Sequence, residues 1–206
     1  MYRPAIYQKN ESGYIFEFIQ KHPFASFILK GKHLLATHIP ILTKGHADEF
    51  VMFGHIANHN EQYKYLKDGT EALLIFQGAH AYISSSWYKE KDISTWDYSA
   101  VHANVRIRIQ DEQTLKQSLE ILVNYFEEQE QKPLFYKDIP VDLLLDHIPR
   151  ITGFWCEPFK LEAIAKLHQG FEKEDITSVA KNLDTRKDVL SQELSKDIKR
   201  EHGQGH

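Results

Sequence analysis

A single cysteine, Cys156, in 206 residues has no partner for an internal disulfide. Stability must therefore come from packing, and a reducing compartment is expected. No run of about 18 apolar residues occurs, so a spanning helix and contact with a membrane are not expected. The opening MYRPAIYQKNESGY lacks the apolar stretch of a secretory leader, which makes the cytoplasm the expected address. Neither a P-loop nor a GxGxxG run is present, and no GxSxG elbow appears. One cysteine cannot build a thiolate zinc centre, and no metal site is expected. An excess of positive charge is missing too. Lys+Arg number 25 against 29 Asp+Glu, a net −4, which is not the footprint of a nucleic-acid binder.

What is present is globular. Apolar residues make up 42% and aromatics 12%, ample for a core. The length suits one substantial domain with a small appendage. Histidine is abundant at 12, so the sign of the net charge depends on pH near the imidazole pKa of about 6.5.

The hydropathy pattern alternates between strands and helices. Asn10 or Ser12 can cap a helix to about Lys21, which His22-Pro23 ends. FASFIL (24–29), HLLATHIPIL (33–42) and EFVMFGHI (49–56) read as strands, with turns at Gly31 and TKGHAD (43–48). A short helix is expected near 60–67, then strands EALLIFQ (71–77), HAYISSSWY (80–88) and DYSAVHANVRIRI (97–109). In the last of these Val105, Ile107 and Ile109 share one face. Asp111 caps a helix over 112–129 with Leu115, Leu119, Leu122, Val123 and Phe126 in a stripe. DLLLDHI (142–148) is a short helix. ITGFWCEPFKLEAIAKL (151–167) is one long strand, bulged or at an edge near Pro158. After Gly170 the composition turns charge-rich, with one or two amphipathic helices and a frayed EHGQGH end. This predicts a mainly β protein with flanking helices (α+β), an antiparallel barrel with helices outside it. The boundaries are 1–170 for the barrel-type domain and 171–206 for a charged helical extension.

Taken alone, the chemistry-bearing residues are ambiguous. His55 and His59 are four apart, but His55 falls at a strand end, where a shared metal is not expected. SSSW (84–87) reads as a polar strand face, Cys156 as a core thiol, and RKDVLSQELSKDIKR as a solvated helix face. The histidine- and aromatic-rich middle could stack a planar ligand and hold a phosphate.

Several runs in order carry a resemblance: HPFASF (22–27), ATHIPI (36–41), GHIANHN (54–60), IFQGAHAYISSSWY (75–88), TWDY (95–98) with AVH (100–102), and ITGF (151–154). The chain resembles the FMN-binding negative transcriptional regulators, the PaiB-like protease synthase and sporulation regulators, over residues 1–170. The resemblance implies an antiparallel split β-barrel related to flavin reductases and pyridoxamine-phosphate-oxidase-like proteins. It implies a homodimer with FMN in a groove between subunits. Thr37 and His38 would face the flavin. His55, Asn58 and Asn60 would lie where a strand opens into a helix, whose N-terminus favours the phosphate. Trp87, Tyr88 and Trp96 would wall the ring slot. No residue is assigned a catalytic role.

The implied activity is repression of protease production and sporulation through FMN or a similar small ligand. Direct DNA binding has little support from the charge. An FMN-dependent oxidoreductase of flavin-reductase type is the alternative, with His38, His55 and Tyr88 as candidate acid–base groups. A haem-binding split barrel is a third reading. The chain departs from the family pattern at several places. Ala79 and Ser85 replace two prolines, and Asp97 stands where the family has Asn in TWNY. Ala57-Asn58-His59-Asn60 differs from ANP. Lys166-Leu167-His168-Gln169-Gly170 differs from KLSQN. A carboxylate at 97 facing the flavin would repel its phosphate, weakening FMN binding.

Overall fold

The computed structural model describes residues 1–204. Its strands are β1 (Gln8–Lys9), β2 (Phe24–Lys30), β3 (Leu34–Pro40), β4 (Leu42–His46), β5 (Glu49–Ala57), β6 (Glu71–Ile83), β7 (Thr95–Ile109) and β8 (Ile151–Lys166). The helices are α1 (Ser12–Lys21), α2 (Glu112–Glu127), α3 (Val141–His147), α4 (Lys173–Asp184) and α5 (Val189–Glu201). The strand order is β3-β2-β6-β7-β8-β5-β4, with β1 on β8. The pairings β2–β3, β2–β6, β4–β5, β5–β8 and β1–β8 are all antiparallel. The expected class, mainly β with flanking helices, is what forms. Among the described residues no helix is long and apolar enough to cross a membrane.

Contacts divide the chain into two compact units. Unit 1 contains Met1–Ile15, Gln77–Val101 and the chain from Glu162 onward. Unit 2 contains Phe16–Phe76 and His102–Leu161. The long strands β6, β7 and β8 each pass from one unit into the other.

Unit 2 is built on period-2 alternation. On β7, Val105 and Ile107 are buried while Arg106 and Arg108 face water. Phe27 of β2 stacks on Phe154 of β8 at 5.1 Å between ring centroids. Each such ring contributes about 1.5–3 kcal/mol when fully buried. Cys156 is a buried core thiol, and burial pushes its pKa up, away from reactivity.

Three local expectations are corrected. The turn expected over 43–48 is shorter, because β4 continues to His46 and pairs with β5 back to Glu49. Gly45 makes this possible with φ +120, a conformation that side chains rarely adopt. HAYISSSWY is not one strand. β6 ends at Ile83, and Ser84 Oγ accepts from Ser86 N to cap a 3₁₀ turn over Ser85–Trp87. A serine that bonds its own backbone competes with the sheet ladder. The α2 stripe is only half-buried. Leu115 is covered, but Phe126 is 37% exposed. Leu115 packs close because residue 153 is glycine: a Cβ there would lie 2.7 Å from Leu115 Cδ1 and 2.4 Å from Gln110 Oε1.

Unit 1 has its own core. Ala79, Ala81 and Ile83 of β6 meet Ile176, Val179 and Leu183 of α4 and Leu194 and Ile198 of α5. The charge-rich C-terminal sequence therefore forms a helical hairpin with an apolar inner face. Of the expected frayed end, Glu201 closes α5, and residues 205–206 lie outside the described residues.

Candidate functional site

In unit 2, the polar candidates gather around β3, β5 and the turn after β5. Asn60 Nδ2 donates to Thr37 Oγ1 at 2.8 Å, and Asn60 Oδ1 accepts from Gln62 N at 2.9 Å. The element that Asn60 starts is a five-residue 3₁₀ turn, Glu61–Tyr65, rather than the expected α-helix. Its second backbone donor is taken by Asn60, and Glu61 puts a carboxylate in its first turn. A macrodipole attraction for phosphate is therefore not built there. Gln62 lies beneath, 1% exposed, and donates to the carbonyls of Phe27 and Leu35.

Asn58 is spent on the fold. Its Nδ2 donates to the Pro149 carbonyl at 3.0 Å and its Oδ1 accepts from Thr152 Oγ1 at 2.6 Å. His38 is exposed on β3, 6.1 Å from the ring of Phe24. His55 sits on β5 opposite Gly153 of β8. Burial holds its pKa below the ordinary histidine value, since the imidazolium loses hydration there. A neutral ring offers a hydrogen bond rather than a charge.

In unit 1, the three aromatic candidates have different surroundings. Trp96 is 51% exposed, and its Nε1 donates to His80 Nδ1 at 3.3 Å. Tyr82 lies 6.4 Å from the Trp96 ring and is also exposed. His80, Tyr82 and Trp96 thus present an aromatic platform on the outer face of β6 and β7. Trp87 is half-buried, with the Arg186 guanidinium 4.8 Å above its ring and its carbonyl accepting from Ser178 Oγ. Tyr88 is 9% exposed, between His168 and Phe171. Its phenol is pushed up to about 12, first by burial and then by the field of Asp97.

The structure joins Thr37 to Asn60 and places Trp96 beside His80. It seats Trp87 and Tyr88 under α4. His80 and Tyr82 were legible all along: alternation in HAYIS puts both on the face opposite Ala79, Ala81 and Ile83.

The expectation for Asp97 is corrected. It faces inward, fully buried, with Lys166 Nζ at 3.0 Å and His168 Nδ1 at 2.8 Å. A carboxylate compensated in this way does not offer the bare charge that would repel a phosphate. Ala79 packs in the unit 1 core, and Ser85 opens the 3₁₀ turn.

The backbone of two units on long antiparallel strands and the exposed indole–imidazole platform suit a flavin-binding class of protein. The model of the family described as "Putative FMN-binding domain" matches residues 1–157, and the chain belongs to that family. It is 28% identical over 197 residues to the protease synthase and sporulation protein PAI 2 of Bacillus subtilis, covering 95% of both chains. Among solved structures it is similar to the FAD and heme binding protein from Mycobacterium smegmatis. That match has a TM-score of 0.58 and 13% identity over 83% of this chain and 79% of the other. The flavocytochrome Anf3 from Azotobacter vinelandii gives a TM-score of 0.51 and 14% identity over 82% and 73%. Both likenesses are of fold, and the fold is the split-barrel class expected from the sequence.

Proposed function

We propose that this chain is a PaiB-like negative regulator of protease production and sporulation that works by binding FMN or a related planar ligand. The observation that carries this reading is its similarity to PAI 2 along 95% of both chains. A flavin, when bound, supplies a redox-active ring whose faces need stacking and whose edges need hydrogen bonds. The residues present fit such a ring. Trp96 and Tyr82 offer exposed aromatic faces, and His80 offers an imidazole edge beside them. Thr37, His38, His55, Asn58 and Asn60 remain the proposed polar ligand contacts of unit 2, and Trp87 and Tyr88 remain proposed aromatic contacts of unit 1. Among these, Thr37 and Asn60 already hold each other, and Asn58 would need to exchange a partner.

A homodimer is part of this proposal, as is action inside the cytoplasm without direct DNA contact. Net charge −4 opposes association with a polyanion, so a ligand or partner protein would carry the signal.

The test is spectroscopic. The purified chain is titrated with FMN and its absorption followed between about 370 and 450 nm, with sedimentation for its mass. A perturbed flavin band in a dimer supports the reading. An unchanged spectrum from a monomer removes the ligand and the dimer together. Consumption of NAD(P)H faster than free FMN allows would move the assignment to a reductase.

A further inference from the structure

Asp97 and His168 stand 71 residues apart and are both buried, at 0% and 2% exposure. Asp97 Oδ2 meets His168 Nδ1 at 2.8 Å, and Asp97 Oδ1 meets Lys166 Nζ at 3.0 Å. With Nδ1 as the N–H donor and the carboxylate oxygen as the acceptor, both groups of that pair are satisfied. The imidazole lies 4.0 Å from the ring of Phe171 and 5.4 Å from that of Tyr88. His168 holds φ +66, a backbone conformation that a residue with a Cβ rarely takes and that the surroundings must impose. Its Nε2 is buried with no hydrogen-bond partner, and so is Tyr88 Oη. Tyr7 also feels the cluster; its phenol is pushed up by burial and then by the field of Asp97. Asp92 and Asp175 add their fields at Tyr88.

The turn that contains His168 is tied at both ends. Lys166 also donates to Thr95 Oγ1 and to the Trp96 carbonyl, so it grips the two β7 residues that lead into Asp97. Gln169 Nε2 donates to Glu201 Oε1 at the end of α5, and His202 Nε2 lies 2.9 Å from the Leu167 carbonyl.

We propose that the Asp97–His168 pair is a latch that fastens the α4–α5 hairpin to β7 and fixes the backbone that presents Trp96. The strained φ of His168 and its unpartnered Nε2 are tolerated because Asp97 holds the ring. Breaking either half releases the turn over 166–171 and with it the hairpin. The device goes beyond ligand recognition: it lies on the inner face of the strand whose outer face carries the platform.

A double-mutant cycle tests it in the full chain. D97N, H168N and D97N/H168N are compared by amide hydrogen exchange, read separately in 173–201 and in the β2–β3 pair of unit 2. Asn at 97 keeps the shape, and Asn at 168 tolerates positive φ. Each single change should speed exchange in 173–201 about tenfold and leave β2–β3 unchanged. The double variant should exchange no faster than the worse single. Additive effects, equal acceleration in both places, or a wild-type D97N would overturn the proposal. Should a single variant fail to fold while the double folds, coupling is upheld; should the double also fail, F171L, which removes the stacking and keeps the charges, must by itself loosen 173–201 or the latch is refuted.

Discussion

Asn60 joins two elements of unit 2 with one side chain: its amide nitrogen donates to Thr37 on β3 while its amide oxygen caps the turn that starts at Glu61. Replacing it with Ala removes a cap and a cross-element bond at once. We expect a loss of about 1–2 kcal/mol, measured by thermal or denaturant unfolding. N60D should recover the cap but not the donation to Thr37, and so fall between.

Gln62 lies directly behind that cap. Gln62→Leu would leave the carbonyls of Phe27 and Leu35 without its two donations in a buried place. A cost of about 1–3 kcal/mol is expected, larger than for Asn60→Asp. A shift in the denaturant midpoint with an unchanged slope is the readout; an unaltered midpoint would show the contacts to be of no consequence.

Trp96→Ala should leave the melting temperature nearly unchanged, since half of the side chain already faces water. Flavin affinity should fall by about 0.5–1.5 kcal/mol, roughly two- to tenfold, by loss of stacking. Fluorescence titration with FMN measures it. Equal affinity in both proteins would place the ring elsewhere.

Two pH effects have opposite signs. His55 binds its proton more weakly in the folded chain than in the unfolded one. The unfolded state therefore holds more protons, and stability falls as pH drops through the ordinary histidine range near 6.5. Tyr14 and Tyr88 are both pushed up to about 12 by burial. Their contribution is full below the unfolded value near 10 and is lost as pH rises from there to about 12. Unfolding curves from pH 5 to 7 for wild type and H55Q should differ in slope, and the alkaline phenolate absorbance should show late-titrating tyrosines, with Tyr7 and Tyr98 shifted in the same direction as Tyr14 and Tyr88.

The periodicities carried most of the fold. The alternation in 97–109 placed Val105 and Ile107 inward, and the helical spacing after Gly170 gave one or two amphipathic helices, which the structure resolves as two, with Ile176, Val179, Leu183, Leu194 and Ile198 buried. The site was harder to read. Period-2 alternation in HAYIS puts His80 and Tyr82 on the open face of β6, whereas Trp87, an aromatic candidate by residue type, is covered by Arg186. Asp97 could not be read from local sequence, because its partners Lys166 and His168 are about 70 residues away in the chain and meet it only through strand pairing. SSSW (84–87) reads as a polar strand face although Ser84 caps a turn, because turn capping and strand alternation use the same residue type.

The division of the chain also has a consequence for biosynthesis. Both segments of unit 2 have left the ribosome once Leu161 has emerged, whereas unit 1 draws on Met1–Ile15 and still awaits the residues from Glu162 onward. Gln8 and Lys9 must wait until Ala163 and Ile164 have been made before β1 can pair with β8. Domains that complete first fold first during synthesis. Lys9 gains its carboxylate partner Glu201 only once α5 has been made.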